Sequence, residues 1–206
     1  MTTVLVVKGH PLTKENSRTL KTLDTFLTHY QQNNPEDTIE WLDLYQTDIP
    51  EIEEVFLGAR KKLMQGTSLE ELSEKEQEIM AQSTTLLNQF LKADKIILAN
   101  PLWNLTIPSR VKDWFDAIYV TGKTFKYTEN GPVGISDIKK SLHIQSNGGI
   151  YQGQDFGSSY VKASFAFMGI PEHHQLFIEG IDYTPDQETT ILANAQEEAK
   201  KLAKIF

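Results

Sequence analysis

The chain has 206 residues, a formal net charge of −8 and no cysteine. That length fits a single domain over residues 1–206 with a core of ordinary size, and the acidic balance without any run of Lys and Arg excludes nucleic acid, whose binding draws most of its affinity from clustered cations. Without cysteine there is no disulfide, thiolate metal site or cysteine nucleophile, so redox chemistry in this chain has to come from a cofactor.

Val4-Leu5-Val6-Val7, followed by Lys8, is too short for a signal-peptide core or a membrane span. It reads as a buried first strand, and a cytoplasmic protein with no membrane partner is expected. Ser17 to Tyr30 places Leu20, Leu23, Leu27 and Tyr30 on one helical stripe, and Ile39 to Tyr45 reads as a second strand. Residues 51–72 exceed a minimal crossover and predict a lid or interaction element, with Phe56, Leu57 and Leu63 serving a dimer contact or the mouth of a site. Ser73 with Glu76 forms a capping box that opens a helix to about Lys92. Ile96 to Ala99 is a third strand. Pro108 then restarts the chain as a helix whose Val111, Trp114, Phe115 and Ile118 share one face. In GKTFKYTENGP, Phe125 and Tyr127 share one face of an extended segment that Asn130-Gly131 can turn, with Phe125 anchored in the core. Leu142 to Gln145 and Leu176 to Glu179 complete the strands, and a helix from Phe156 to Met168, stopped by Gly169, lies between them. Thr184-Pro185-Asp186-Gln187 opens the last helix, with proline in the first turn and Gln187 able to reach back to the cap.

Five short apolar strands separated by helices predict an α/β fold: a doubly wound five-stranded parallel sheet in the flavodoxin-like order 2-1-3-4-5, helices on both faces. Ligands of such sheets bind beyond the carboxyl ends of the strands, where successive crossovers diverge. Three loops follow strands 1, 3 and 4.

The first, KGHPLTKENSRTL, has Gly9 for a sharp exit and Asn16, Ser17 and Thr19 where a helix N-terminus offers unpaired N–H donors. A phosphate pocket and an ordinary N-cap at Ser17 satisfy this pattern equally. There is no GxGxxG and no GKS or GKT. His10 suits a phosphate donor, a ring neighbour or a structural residue, and no metal is expected, because no second His stands at ligand spacing. The second loop, Pro101-Leu102-Trp103-Asn104-Leu105, wraps large apolar groups around one amide. The third, Ser146-Asn147-Gly148-Gly149, is a turn sequence whose place at a strand's carboxyl end favours close main-chain approach to a ligand. An apolar wall, backbone amides and one phosphate pocket without a dinucleotide fingerprint fit a flavin, as FMN rather than FAD.

The segments NPLWNLTIPSRVKDWFDAI, GKTFKYTENGP and SNGG resemble the FMN-dependent NADH-azoreductase family, which also reduces quinones, and the similarity runs from VLVVK through FIEGID. The resemblance implies noncovalent FMN in a homodimer and NADH as electron donor. It further implies a ping-pong cycle, which delivers electrons to quinones or aromatic azo compounds, with no obligatory side-chain acid, base or nucleophile. It assigns the phosphate to His10 and Ser17-Arg18-Thr19, and the ring to Pro101, Leu102, Trp103, Asn104, Leu105, Ser146, Asn147, Gly148 and Gly149. Substrate contacts fall to Tyr127, Tyr151 and Phe167, the last from the partner subunit. Some members carry serine at position 10 and arginine at position 147. The rival expectation is an electron-carrier flavoprotein with no small-molecule substrate of its own.

Overall fold

The computed structural model describes residues 2–206. Its parallel sheet has the order β2-β1-β3-β6-β7, from β1 (Thr3–Lys8), β2 (Thr38–Asp43), β3 (Lys95–Pro101), β6 (Lys140–Ser146) and β7 (Glu172–Ile178). This is the expected 2-1-3-4-5 order with a hairpin inserted before the fourth sheet strand: β4 (Phe125–Thr128) pairs antiparallel with β5 (Gly131–Gly134) in a separate two-stranded sheet. The helices are α1 (Arg18–Asn33), α2 (Glu54–Met64), α3 (Glu74–Lys92), α4 (Ser109–Ile118), α5 (Phe156–Phe167) and α6 (Glu188–Leu202).

The sheet is sandwiched between two apolar layers. Leu5, Val7, Ile96 and Leu98 face α3, α4 and α5 through Phe90, Trp114, Phe115 and Phe165. Val4, Val6, Ile97, Leu142, Ile144, Leu176 and Ile178 face α1 and α6 through Leu23, Phe26 and Ala195. Each fully buried Leu or Ile contributes roughly 1.5–3 kcal/mol, which fixes the sheet and so the loops at its carboxyl edge. Among the described residues no helix is long and apolar enough to cross a membrane, and no group of three or more His, Asp or Glu converges as a metal site.

Three expectations change. Residues 51–72 are not a loop: α2 and a 3-10 turn at Leu69–Glu71 pack on α3, where Phe56, Ala59, Leu72 and Met80 make a small core of their own with Leu63 against it. Phe56, at 1% exposure, is therefore unavailable to a dimer contact, and of the three residues only Leu57 stands in solvent. The last helix begins with a 3-10 turn at Pro185–Gln187, and Thr184 donates its hydroxyl to Gly180 O instead of forming a capping box. β7 starts at Glu172, earlier than its apolar residues suggest, because the polar run Glu172 to Gln175 pairs in register with β6.

The hairpin sits at the opposite end of the sheet from the three loops. α4 descends from the carboxyl end of β3, and β5 then meets the C-terminal end of α5, where Ser136 N–H donates to Met168 O at 3.1 Å. Lys139 N–H donates to Asp94 O, at the foot of β3, at 2.8 Å. The seven residues of β6 separate the two ends by roughly 20 Å.

Candidate flavin site

The chain leaves β1 against β3 and α4. Gly9 N–H donates to Ala99 O at 2.8 Å, and a Cβ on Gly9 would lie 2.5 Å from Val111 Cγ2, so only glycine allows this approach. His10 is buried, and its Nδ1 accepts from Leu12 N–H at 3.0 Å, which places the proton of the neutral ring on Nε2 as a donor. Burial, then Lys8, lowers its pKa and keeps the ring neutral. The imidazole stands 5.6 Å from the Trp103 ring, tilted by 58°.

Ser17 is the N-cap of α1, its Oγ accepting from Leu20 N–H at 3.3 Å. The Arg18 and Thr19 N–H groups have no protein acceptor among the described residues, and no acidic side chain lies in the first turn. These are the conditions for an anion at a helix N-terminus. The two side chains do something else. Arg18 Nε donates to Glu188 Oε1 at 2.8 Å, and the buried Thr19 donates its hydroxyl to Ser146 Oγ at 2.8 Å, tying α1 to the end of β6.

After β3, Leu102 N–H donates to Ser146 O at 2.9 Å, joining the second loop to the third. Trp103 and Thr106 exchange both backbone hydrogen bonds, at 2.9 and 3.0 Å, around Asn104 (φ 49°) and Leu105 (φ 68°). Two left-handed central residues make this a type I′ turn. A leucine in that conformation costs about 1–2 kcal/mol, strain of the kind that collects at ligand sites. The turn lifts Trp103 and Leu105 into solvent, at 41% and 56% exposure.

The third loop is held from behind. Gly148 O accepts from Asp182 N–H and Gly149 O from Gly180 N–H, both at 3.0 Å. A Cβ on Gly148 would lie 1.9 Å from Asp182 Oδ2 and would force that exposed side chain aside, and one on Gly149 would lie 3.0 Å from the Tyr151 ring, so the loop packs closely on its own protein at both glycines. Asn147 differs from the expected ring contact. Its side chain is buried, with Oδ1 accepting from Gln145 Nε2 at 2.9 Å and Nδ2 donating to Glu179 Oε1 at 2.7 Å. Gln145 also donates to Asp155 Oδ1 at 3.2 Å and Ser158 Oγ at 2.9 Å, while Asp155 caps α5 by accepting from Ser158 N–H at 2.7 Å. Buried Asn100 links β3 to this layer, its Oδ1 lying 2.9 Å from His143 Nε2.

A cavity of about 680 Å³ opens beside Trp103 and Asn104, walled by Ile107, Pro108, Phe156 and Tyr160, with Lys112 as a cation in its lining. The structure thus brings together His10, the α1 N-terminus, Leu102 to Leu105, Ser146 to Gly149 and Tyr151. It does not bring Tyr127 or Phe167 to them. Tyr127 is 71% exposed on the hairpin, edge-on to Phe125 at 5.6 Å, and Phe167 packs on Phe125 at 4.8 Å, at the foot of the sheet. Sequence reasoning missed Phe156, Tyr160 and Lys112 in the cavity wall and Gln145, Asp155, Glu179 and Asp182 behind the loop. An aromatic directly after the Asp155 cap was the available signal for Phe156; nothing local marked Glu179.

Residues 2–203 match the family model described as a flavodoxin-like fold. The chain is 40% identical, over the full length of both proteins, to the FMN-dependent NADH:quinone oxidoreductase of Streptococcus suis. Its structure superposes on an azoreductase from Bacillus anthracis with a TM-score of 0.92, 35% identity and all of both chains covered. A second B. anthracis protein, a FMN-dependent NADH-azoreductase solved in complex with FMN, gives a TM-score of 0.91 and 32% identity over 98% of each chain.

Proposed function

Because the chain belongs to the flavodoxin-like family that includes the FMN-dependent NADH:quinone oxidoreductases and azoreductases, we propose that it is an FMN-dependent oxidoreductase that takes electrons from NADH and reduces quinones and aromatic azo compounds. The observation that carries this reading is the set of free donors around one apolar wall. The α1 N–H groups and His10 Nε2 suit a single phosphate, Trp103 and Leu102 suit the apolar body of the ring, and the third loop's main chain suits its polar edge. FMN fits these residues; a second phosphate has no comparable cradle among them.

Bound FMN supplies two-electron transfer, accepting electrons from NADH and passing them to the acceptor in a separate half-reaction. The chain's own residues bind and orient. The α1 N-terminus anchors the phosphate, and preorganised N–H groups of the third loop favour negative charge on the facing ring edge. Trp103, Phe156 and Tyr160 give one side of the site an apolar and aromatic wall.

Tyr127 and Phe167 lie roughly 20 Å from the loops of their own chain, so they reach a flavin site only if two copies pack with the foot of one sheet over the loops of the other. We therefore read the enzyme as a homodimer with shared sites, residing in the cytoplasm. An azo bond requires four electrons for two amines, hence two cycles, and a quinone requires one. Steady-state rates at several fixed NADH concentrations test the two half-reactions: double-reciprocal plots against quinone should be parallel, and intersecting lines would mean that both substrates bind together.

A further inference from the structure

We propose that Glu179 is a positioning residue of the flavin site, which clamps the third loop so that the Gly149 and Ile150 N–H groups face the cofactor's polar edge; this rests on the FMN reading above. Glu179 stands just beyond β7. Its Oε1 accepts from Asn147 Nδ2 at 2.7 Å, from Tyr151 N–H at 3.0 Å and from Gln152 N–H at 3.1 Å, and its Oε2 lies 3.1 Å from the same Gln152 N–H. One carboxylate therefore fixes both ends of a six-residue loop. It also supports Gln152 in a left-handed conformation, φ 54°, that glutamine rarely adopts.

The direction of the loop's donors follows from peptide geometry. In a trans peptide the carbonyl of one residue and the N–H of the next point in opposite directions. The Gly148 and Gly149 carbonyls are turned toward Asp182 N–H and Gly180 N–H. The N–H groups of Gly149 and Ile150 consequently point the other way, and neither has a protein acceptor among the described residues. Segment 179–182 thus determines the loop twice, through its main chain at Gly180 and Asp182 and through the Glu179 side chain. On the far side, Gln145 holds Asn147 Oδ1 and is itself fixed by Asp155 and Ser158 at the start of α5. The loop cannot turn without breaking charge-assisted hydrogen bonds, which are about twice as strong as neutral ones.

The test compares E179A and E179Q with wild-type protein by three readouts: amide hydrogen exchange without flavin, the FMN dissociation constant from fluorescence quenching, and the midpoint potential of the bound flavin. E179A should speed exchange at Tyr151 and Gln152 by about tenfold or more and weaken FMN by about tenfold. Its potential should move negative, because misplaced N–H donors favour the reduced, more anionic ring less. E179Q keeps an oxygen for the same N–H groups and should lie nearer wild type. E179A that binds FMN within about twofold of wild type at unchanged potential overturns the positioning role. If E179A does not fold, E179Q decides: weakened FMN with wild-type exchange at Tyr151 and Gln152 would assign the effect to charge and overturn positioning. Wild-type protein that takes up no FMN overturns the cofactor reading, and this role with it.

Discussion

The two faces of β6 and β7 are built on opposite principles. Toward α1 and α6 these strands present Leu142, Ile144, Leu176 and Ile178, all buried in one apolar layer. Toward α5 they present Ser141, His143, Gln145, His173 and Gln175, with Phe177 as the one apolar exception, edge-on to His143 at 6.5 Å, and neither strand adds a residue to the large apolar core on that side. On this polar face His143 Nδ1, Gln145 Oε1, His173 Nε2 and Gln175 Nε2 have no protein partner among the described residues, a mixture of groups that ordered water bridges in protein interiors. One face stabilises the sheet through burial. The other, where an unpaired polar group costs about 1–3 kcal/mol, carries the hydrogen-bond chain that runs from Asp155 through Gln145 and Asn147 to Glu179. The difference teaches that the third loop is held from beneath, by a network in which its own Asn147 joins Gln145 to Glu179.

The largest effect should come from the apolar face. Ile144→Ala removes a fully buried side chain and should cost about 2–5 kcal/mol in urea unfolding. Its oxidised FMN affinity should change little below the transition, whereas a comparable loss of affinity would show that the two faces are not independent.

Acid should strike the polar face next. Burial pushes His143 from its ordinary 6.5 down to about 3, so the folded protein holds the ring neutral. Above pH 6.5 folded and unfolded states are both neutral and the contribution is complete; as pH falls below 6.5 the unfolded chain takes up a proton that the folded one refuses. Stability is then lost by about 1.4 kcal/mol per pH unit, or about 2 kcal/mol between pH 7 and pH 5. His143→Gln, which keeps a donor toward Asn100, should remove this share of the slope. A smaller slope should survive from His173, which burial lowers to about 4. An unchanged acid slope in His143→Gln would contradict the neutral buried ring.

How much of this was legible follows the range of each interaction. The strands and the capping box at Ser73 and Glu76 rest on local patterns and were readable, and the order of the sheet followed as the simplest doubly wound arrangement. The helix in residues 51–72 was missed although Phe56, Ala59 and Leu63 fall at helical spacing, because length alone was read as a lid. Leu105 gave no sign of a left-handed turn, since leucine is not a turn residue. Arg18 looked free for phosphate, but its partner Glu188 lies 170 residues away. Phe167 was expected from a partner subunit but Tyr127 was not; that Tyr127 also sits at the foot of the sheet depends on α4 and could only come from the fold.

Tyr127 lies outside both faces, and its removal should have the smallest effect. Tyr127→Ala should raise the Michaelis constant for aromatic acceptors by about tenfold, from lost stacking, with FMN content unchanged. Gly148→Val, which drives a side chain into Asp182, should lose FMN. If the proposed homodimer shares its sites, mixed dimers of the two variants would contain one site with intact loops and an intact tyrosine from the neighbouring chain, and wild-type Michaelis constants should reappear in the mixture. No recovery would place Tyr127 within its own chain's site or outside any site.

The central claim is that these loops hold FMN for two-electron chemistry with NADH. The direct measurement is an anaerobic titration of FMN-reconstituted protein with NADH, followed by absorbance, after the released cofactor has been identified. The account predicts FMN at one per chain and bleaching complete at one NADH per FMN in a single two-electron phase. FAD, no retained flavin, or a bound flavin that NADH leaves oxidised would contradict it.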